Sequence, residues 1–119
     1  MKWIESFLTG RRQRVLIGEH SSEWEEVTSS VLQGSVLGPL LFTIFINDLS
    51  DIVKNECRLY ADESKLIGLI EKEEDIEIIQ KDTDSMQKWT KTWQISFNYD
   101  KFKVMHFGKK NKEYEYIMD

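Results

Sequence analysis

Cysteine, histidine, proline and glycine are all scarce in this sequence of 119 residues. Cys57 is its one cysteine, so no internal disulfide can form, and a single thiol with two histidines, His20 and His106, falls short of a Cys/His zinc site. A lone reduced thiol suits an intracellular setting, with nothing to choose between nucleus and cytoplasm. One proline and six glycines exclude collagen-like and linker-like chains. The longest apolar run, Val36 to Ile46, is broken by Gly38, Pro39 and Thr43. It is well short of the roughly 20 residues that span a bilayer. The start, Met1-Lys2-Trp3-Ile4-Glu5, has no apolar signal core, so neither a targeting nor a membrane segment is expected. What is present, 40% hydrophobic, 12% aromatic and 31% charged, is the composition of a soluble globular protein with room for one domain and one core.

Net charge is −5, which argues against an unselective nucleic-acid binder. Its distribution is uneven. Residues 1–20 carry four basic and two acidic groups, 21–80 carry four and thirteen, and 81–119 carry eight and six. Basic ends flank an acidic middle, a pattern that suits acids holding metal and separate cations meeting a phosphate backbone, although ordinary proteins show it too.

Within the acidic middle, the stretch Arg58-Leu59-Tyr60-Ala61-Asp62-Glu63-Ser64-Lys65-Leu66 reads as a β-hairpin with two adjacent carboxylates at its tip. Alternation sends neighbouring side chains to opposite faces, so Asp62 and Glu63 share an edge only if the tight turn brings them there. Unpaired carboxylates at such a tip suit a hard dication such as Mg²⁺, which takes one or two protein carboxylates along with substrate phosphates. Alone, an Asp-Glu pair is more often a solvated turn. Upstream lies Val31-Leu32-Gln33-Gly34-Ser35-Val36-Leu37-Gly38-Pro39-Leu40-Leu41-Phe42, followed by Ile44-Phe45-Ile46-Asn47-Asp48-Leu49.

In order, spacing and uncommon residues, these segments resemble the reverse transcriptase palm of non-LTR (LINE- or jockey-like) retrotransposons. That family's pattern runs Gly-Val-Pro-Gln-Gly-Ser-Val-Leu-Gly-Pro-Leu-Leu-Phe, then Ile-Asn-Asp-Leu, then Phe/Tyr-Ala-Asp-Asp. Trp3, Phe7, Leu8, Arg11, Gln13 and Val15 are similar to the family's stretch before its glutamine-glycine motif, and Asn98, Lys101, Met105 and Phe107 to its Asn-x-x-Lys-x-x-x-Met-x-Phe. The resemblance covers residues 1–119 and implies an α+β, palm-like fragment with an antiparallel sheet packed by helices. It also implies RNA-directed DNA synthesis from dNTP on a primer and RNA template, with Mg²⁺.

Carried over residue by residue, the resemblance makes Asp62 and Glu63 metal ligands and catalytic groups. Lys101 becomes a cation facing the nucleotide phosphates, and Gln33, Gly34 and Ser35 the nucleotide and template loop. Arg11 and Arg14 become template contacts, the alternative for them being a solvated strand face. Three positions depart from the pattern: Glu63 stands for the second aspartate, Leu32 for proline and Ser30 for glycine. The family supplies a further aspartate from a strand ahead of Lys2, and the fingers, first palm strand and thumb are expected to lie outside this sequence. The expectation is a fragment inactive in isolation. The alternative is a non-catalytic retrotransposon relic that binds protein or nucleic acid, or self-associates through exposed palm surface.

Element by element, periodicity predicts a helix over Lys2–Leu8 stopped by Thr9-Gly10, and a strand from Arg11 to Gly18 paired with Ser22–Val27 across a turn at 18–21. A helix beginning at Pro39, apolar almost all round and so buried, is closed by Asn47-Asp48 and Ser50-Asp51. The 3-to-4-residue rhythm of Ile76, Ile79, Met86, Trp89 and Trp93 predicts a long helix from Glu73 to Trp93, with both tryptophans as core anchors. Ile95–Gly108 reads as two short strands about a turn at Asn98–Asp100, Lys109–Lys112 as a solvated linker, and Tyr114–Ile117 as an edge strand.

Overall fold

A computed structural model describes residues 2–109 and 111–118. Lys110, within the expected linker, lies outside the described residues. The chain forms two compact units, residues 1–41 and 42–119, and the buried core lies entirely in the second.

In the first unit, helix α1 spans Lys2–Leu8, as its apolar face predicts. It ends where the Thr9 amide and hydroxyl both donate to the Glu5 carbonyl (2.9 and 2.7 Å) and Gly10 turns to φ +62°. The expected hairpin follows, but its strands are broken into short pieces: β1 (Arg12–Gln13), β2 (Leu16–Ile17), β3 (His20–Ser21) and β4 (Glu25–Glu26). β2 pairs with β3 across Gly18-Glu19, a tighter turn than the four residues expected. Gly18, at φ +58°, takes the first central position that such a two-residue turn reserves for glycine. β1 pairs with β4. Between the two ladders one strand has Arg14 and Val15 and the other has Ser22, Glu23 and Trp24. That extra residue is a bulge, and it is why the strands are short.

Helix α2 covers Leu37–Ile46, so Pro39 is its third residue and not its first. Gly38 is held close to the preceding loop: a Cβ there would meet Ser35 Oγ at 2.9 Å and Val31 Cγ2 at 3.3 Å. The expectation that this helix is buried all round is only half met. Phe42 and Ile46 turn into the core, whereas Leu40 is 55% and Ile44 64% exposed. The described residues supply cover for one face only.

A 3-10 helix, Asn47–Ile52, leads from α2 into the second unit's hairpin, β5 (Glu56–Tyr60) and β6 (Glu63–Ile67). Alternation turns Cys57, Leu59 and Leu66 inward on to the core of Ile46, Leu49, Met86 and Trp89. Helix α3, Glu73–Trp93, supplies Met86 and Trp89 and has the length its periodicity predicts. At its start Asp75 Oδ2 accepts from the amides of Glu71 and Lys72 (both 3.0 Å), and these bonds hold its carboxyl below the usual range. At its end Gln94 turns left-handed and its amide returns to the Thr90 carbonyl. Gly68 packs where a Cβ would lie 2.7 Å from Ile79 Cγ1, so it sets how closely the hairpin's exit approaches α3.

Two expected features are absent among the described residues. Ile95 to Gly108 forms no strands: Tyr99–Lys101 is a 3-10 turn, and Ile95 and Phe97 reach the core from irregular backbone. Tyr114–Ile117 is likewise not a strand. Alternating apolar residues favour extended backbone, but a ladder needs a second backbone alongside, and only three two-stranded ladders form among the described residues. The tail is instead fastened by a side chain. Gln80 donates to the Ile117 carbonyl (2.9 Å) and accepts from its amide (3.0 Å).

Candidate functional site

The hairpin β5–β6 has a two-residue turn, Ala61-Asp62, closed by the pair Tyr60 and Glu63. Ala61 sits at φ +52°, a left-handed conformation that strains any residue with a Cβ by roughly 1–2 kcal/mol. The two-residue turn demands a positive φ at its first central position, and this sequence places alanine there in place of glycine. Both carboxylates are exposed, and neither accepts a hydrogen bond or ion pair from another described residue.

Asp62 occupies the turn, and Glu63 opens β6 on its outward face with Lys65 and Ile67. The same face of β5 presents Glu56, Arg58 and Tyr60. Arg58 lies directly opposite Lys65, and like charges in that register repel. Glu56 offsets the repulsion by pairing with Arg58 at 2.6 Å, which leaves Glu63 free. The tip thus combines unpaired oxygen donors with a pair of cations two residues further along the sheet. Arg58 and Lys65 were not foreseen as site residues. Their signal is available in the sequence once the hairpin register is known, because a symmetrical two-residue turn places them across from each other.

As to metal, the residues fit a partial site. Two adjacent exposed carboxylates match a hard dication that completes its shell with substrate oxygens. Among the described residues, no group of three or more His, Cys, Asp or Glu is placed to hold an ion by itself. Lys101 is exposed in the 3-10 turn, and its amine makes no hydrogen bond or ion pair with either carboxylate.

The other expected site residues belong to the first unit. Gln33 and Gly34 form an exposed turn, with Gly34 at φ +81° and open space where a Cβ would be. Its glycine is therefore needed for the backbone angle and not for packing. Ser35 is occupied in holding the fold. Its hydroxyl donates to the Leu32 carbonyl (2.7 Å) and accepts from the Gly38 amide (3.0 Å), capping α2. Arg11 is also engaged within the fold. Its guanidinium donates to the carbonyls of Leu8 (3.2 Å), Ser29 (3.2 Å) and Ser30 (2.5 Å), tying the end of α1 to the hairpin's exit. Arg14 is different, lying 4.7 Å over the exposed Trp24 ring.

Ser30, where the resembled family has glycine, is found at φ +63°. The backbone keeps the glycine-type conformation although the side chain has changed. Ser30→Gly is therefore expected to stabilise the first unit by about 1 kcal/mol, because the strain in the native state outweighs the added freedom of the unfolded chain. Thermal unfolding and hydrogen exchange of the Val27 amide, which bonds the Arg11 carbonyl at 2.9 Å, read this directly. A loss of protection would contradict it.

An α+β chain with an antiparallel hairpin carrying paired carboxylates at its tip is consistent with part of a nucleic-acid polymerase palm. The reverse transcriptase (RNA-dependent DNA polymerase) family profile matches residues 1–117, and the chain belongs to that family. Among curated relatives, it is 25% identical over 119 residues to the RNA-directed DNA polymerase from mobile element jockey of Drosophila melanogaster, covering 90% of this chain and 13% of the relative. The corresponding jockey polymerase of Drosophila funebris is 31% identical over 110 residues (82% of this chain, 12% of the relative). The probable RNA-directed DNA polymerase from transposon X-element of Drosophila melanogaster is 30% identical over 115 residues (92% and 13%). The chain thus spans about an eighth of the length of these relatives. No solved structure matches it.

Proposed function

We propose that this chain is the metal-binding part of a palm from a non-LTR, jockey-like RNA-directed DNA polymerase, extending a primer with dNTP on an RNA template. The observation that carries the reading is the exposed, unpaired Asp62-Glu63 pair at a strained hairpin turn. The neighbouring Lys65 supports it, because a cation on an open sheet face suits a polyanion, whereas Arg58 opposite it is already paired with Glu56.

Asp62 is the main metal ligand in this reading, with Glu63 a second, displaced by its extra methylene. Bound Mg²⁺ supplies Lewis-acid stabilisation of the phosphates. Lys101 contributes a positive charge for the nucleotide, while Gln33 and Gly34 offer backbone and amide contacts to the template. Arg11 and Ser35 position that loop through the carbonyl and amide contacts described above.

Phosphoryl transfer by two metals needs carboxylates from separated parts of a chain, and the tip offers only two adjacent ones. The 119-residue chain assayed alone with Mg²⁺, dNTP and a primed RNA is therefore expected to show no extension. Glu63→Asp alone is expected to leave it inactive. Processive extension by that variant would overturn the need for a further carboxylate.

A second reading, self-association without catalysis, is favoured by one observation: in the first unit Val36, which immediately precedes α2, is 92% exposed, and Leu40 on α2 is 55% exposed. Such association would be indifferent to Mg²⁺ and to Asp62.

A further inference from the structure

The base of the β5–β6 hairpin is seated on one turn of α3. Continuing the register past Glu56 and Ile67 sets Asn55 opposite Gly68, and alternation turns both inward with Cys57, Leu59 and Leu66. Each strand has its own hold on the helix. Asn55 is clasped by Asp82, whose Oδ2 accepts from the Asn55 amide and side-chain nitrogen, and Gly68 rests against Ile79, three residues earlier on the same helix face.

The φ of Gly68 lies outside the left-handed region, so its backbone would accept any residue. What the position lacks is room. A Cβ there would lie 2.7 Å from Ile79 Cγ1, closer still to Ile79 Cδ1, and 3.2 Å from Asn55 Oδ1. Neither neighbour is free to step aside: a β-branched side chain in a helix keeps essentially one χ1 well, which fixes Cγ1, and Asn55 is tied to Asp82. Ordinary carbon contact at about 3.5 Å would therefore lift the exit of β6 from α3 by roughly 1 Å. Leu66, two residues up and packed on the core, is the fulcrum. Asp62 lies four residues beyond it, so at about 3.3 Å per residue the tip swings by roughly 1–2 Å in the opposite sense.

We propose that Gly68 and Ile79 are positioning residues for the carboxylate tip: their close contact sets the tilt of the hairpin on α3, and so where Asp62 stands. Neither touches metal or substrate. The catalytic consequence rests on the polymerase reading, whereas the tilt itself does not. In that reading Asp62 must meet a carboxylate from elsewhere across a metal that demands near-ideal geometry, and a misplacement of about 1 Å costs on the order of 10²-fold in rate. Glycine at position 68 is thus a requirement of aim, imposed from about 20 Å along the strand.

The first measurement is of backbone-amide residual dipolar couplings in the 119-residue chain, which give the direction of β5–β6 relative to α3. Gly68→Ala is expected to turn the hairpin by roughly 5–10°, and Gly68→Ala with Ile79→Ala, where the new methyl takes the vacated space, to return it to the parent direction. The second is steady-state primer extension by a hybrid carrying residues 1–117 in place of the aligned segment of a jockey-type polymerase. Gly68→Ala is expected to lower kcat by roughly 10- to 100-fold with little change in the KM for dNTP, and the double variant to recover to within about threefold of the parent. Ile79→Ala alone separates aim from stability: its unfolding midpoint falls while its kcat stays near the parent's. An unchanged hairpin direction in Gly68→Ala, or a double variant as slow as Gly68→Ala, would overturn the proposal. If Gly68→Ala does not fold, the double variant still decides, by regaining the parent direction and rate or failing to. A hybrid that extends no primer would defeat the polymerase reading by itself, and the couplings then decide whether Gly68 sets the hairpin's direction.

Discussion

Asp82→Ala is expected to lower the stability of the second unit by about 2–4 kcal/mol, a large fraction of what a small domain has. Asp82 lies on α3 and is only 3% exposed. Its Oδ1 accepts from the Lys54 amide at 2.9 Å, and its Oδ2 accepts from the Asn55 amide and the Asn55 side-chain nitrogen, both at 2.8 Å. Alanine would leave three donors of a part-buried loop without their acceptor, and an unmet buried donor costs about 1–3 kcal/mol. The loop it holds runs directly into β5, so the effect reaches the hairpin that presents Asp62. Asp82 also helps burial to hold the Cys57 thiol above its ordinary range. Urea unfolding measures the loss. Asp82→Asn should be nearly as harmful, because its amide nitrogen would face one of the same donors. A midpoint shift equivalent to less than about 1 kcal/mol for the alanine variant would show that the loop holds without this carboxyl.

Aromatic contacts near the end of α3 explain why the second unit has a core despite few buried residues. Trp89 donates its indole N–H to Asp48 Oδ1 at 3.0 Å, and its ring packs near Phe45 and Trp93, with centroids 5.9 and 6.2 Å away. Asp48 belongs to the Asn-Asp-Leu run that helped carry the family resemblance. In this structure it fixes α3 against the 3-10 helix.

What could be read from the residues, and what could not, divides along physical lines. Both long-range rhythms were legible: α1 and α3 have the bounds that their apolar spacing and end residues dictate. The carboxylate hairpin was legible because a short turn lies between two alternating runs. The strands at Ile95–Gly108 were over-read, since alternation records a preference for extended backbone but not the presence of a neighbour to complete the ladder. The cover on α2 was over-read for a related reason: apolarity says that a face favours burial and does not say what supplies it.

Asp82 was invisible as a structural carboxylate because an acid in a helix ordinarily faces water; its one signal is its place on the stripe between Ile79 and Met86. Arg11 and Arg14 looked alike in sequence. They were separated only by tertiary contacts to Ser29 and Ser30 in one case and Trp24 in the other. Ser30 was legible as a departure from the glycine of the resembled pattern, but only the backbone angle shows that the glycine conformation has been kept.

The second large effect concerns Asp62, and it supplies the measurement that bears most directly on the account. Residues 1–117 would replace the aligned segment of a jockey-type polymerase, and primer extension on RNA would be followed with Mg²⁺. The hybrid is expected to extend, weakly with Glu63 and faster with Glu63→Asp, because the shorter side chain suits the near 2.1 Å contacts that Mg²⁺ demands. Asp62→Ala in the hybrid is expected to lower extension by about 10³-fold or more, the equivalent of losing several kcal/mol of metal-borne stabilisation of the phosphates. Folding of the hybrid is checked by unfolding midpoint, which Asp62→Ala should leave in place because its side chain makes no contact that holds the turn. Extension that survives Asp62→Ala at the parent rate would contradict the claim that this hairpin is the metal-binding tip of the polymerase.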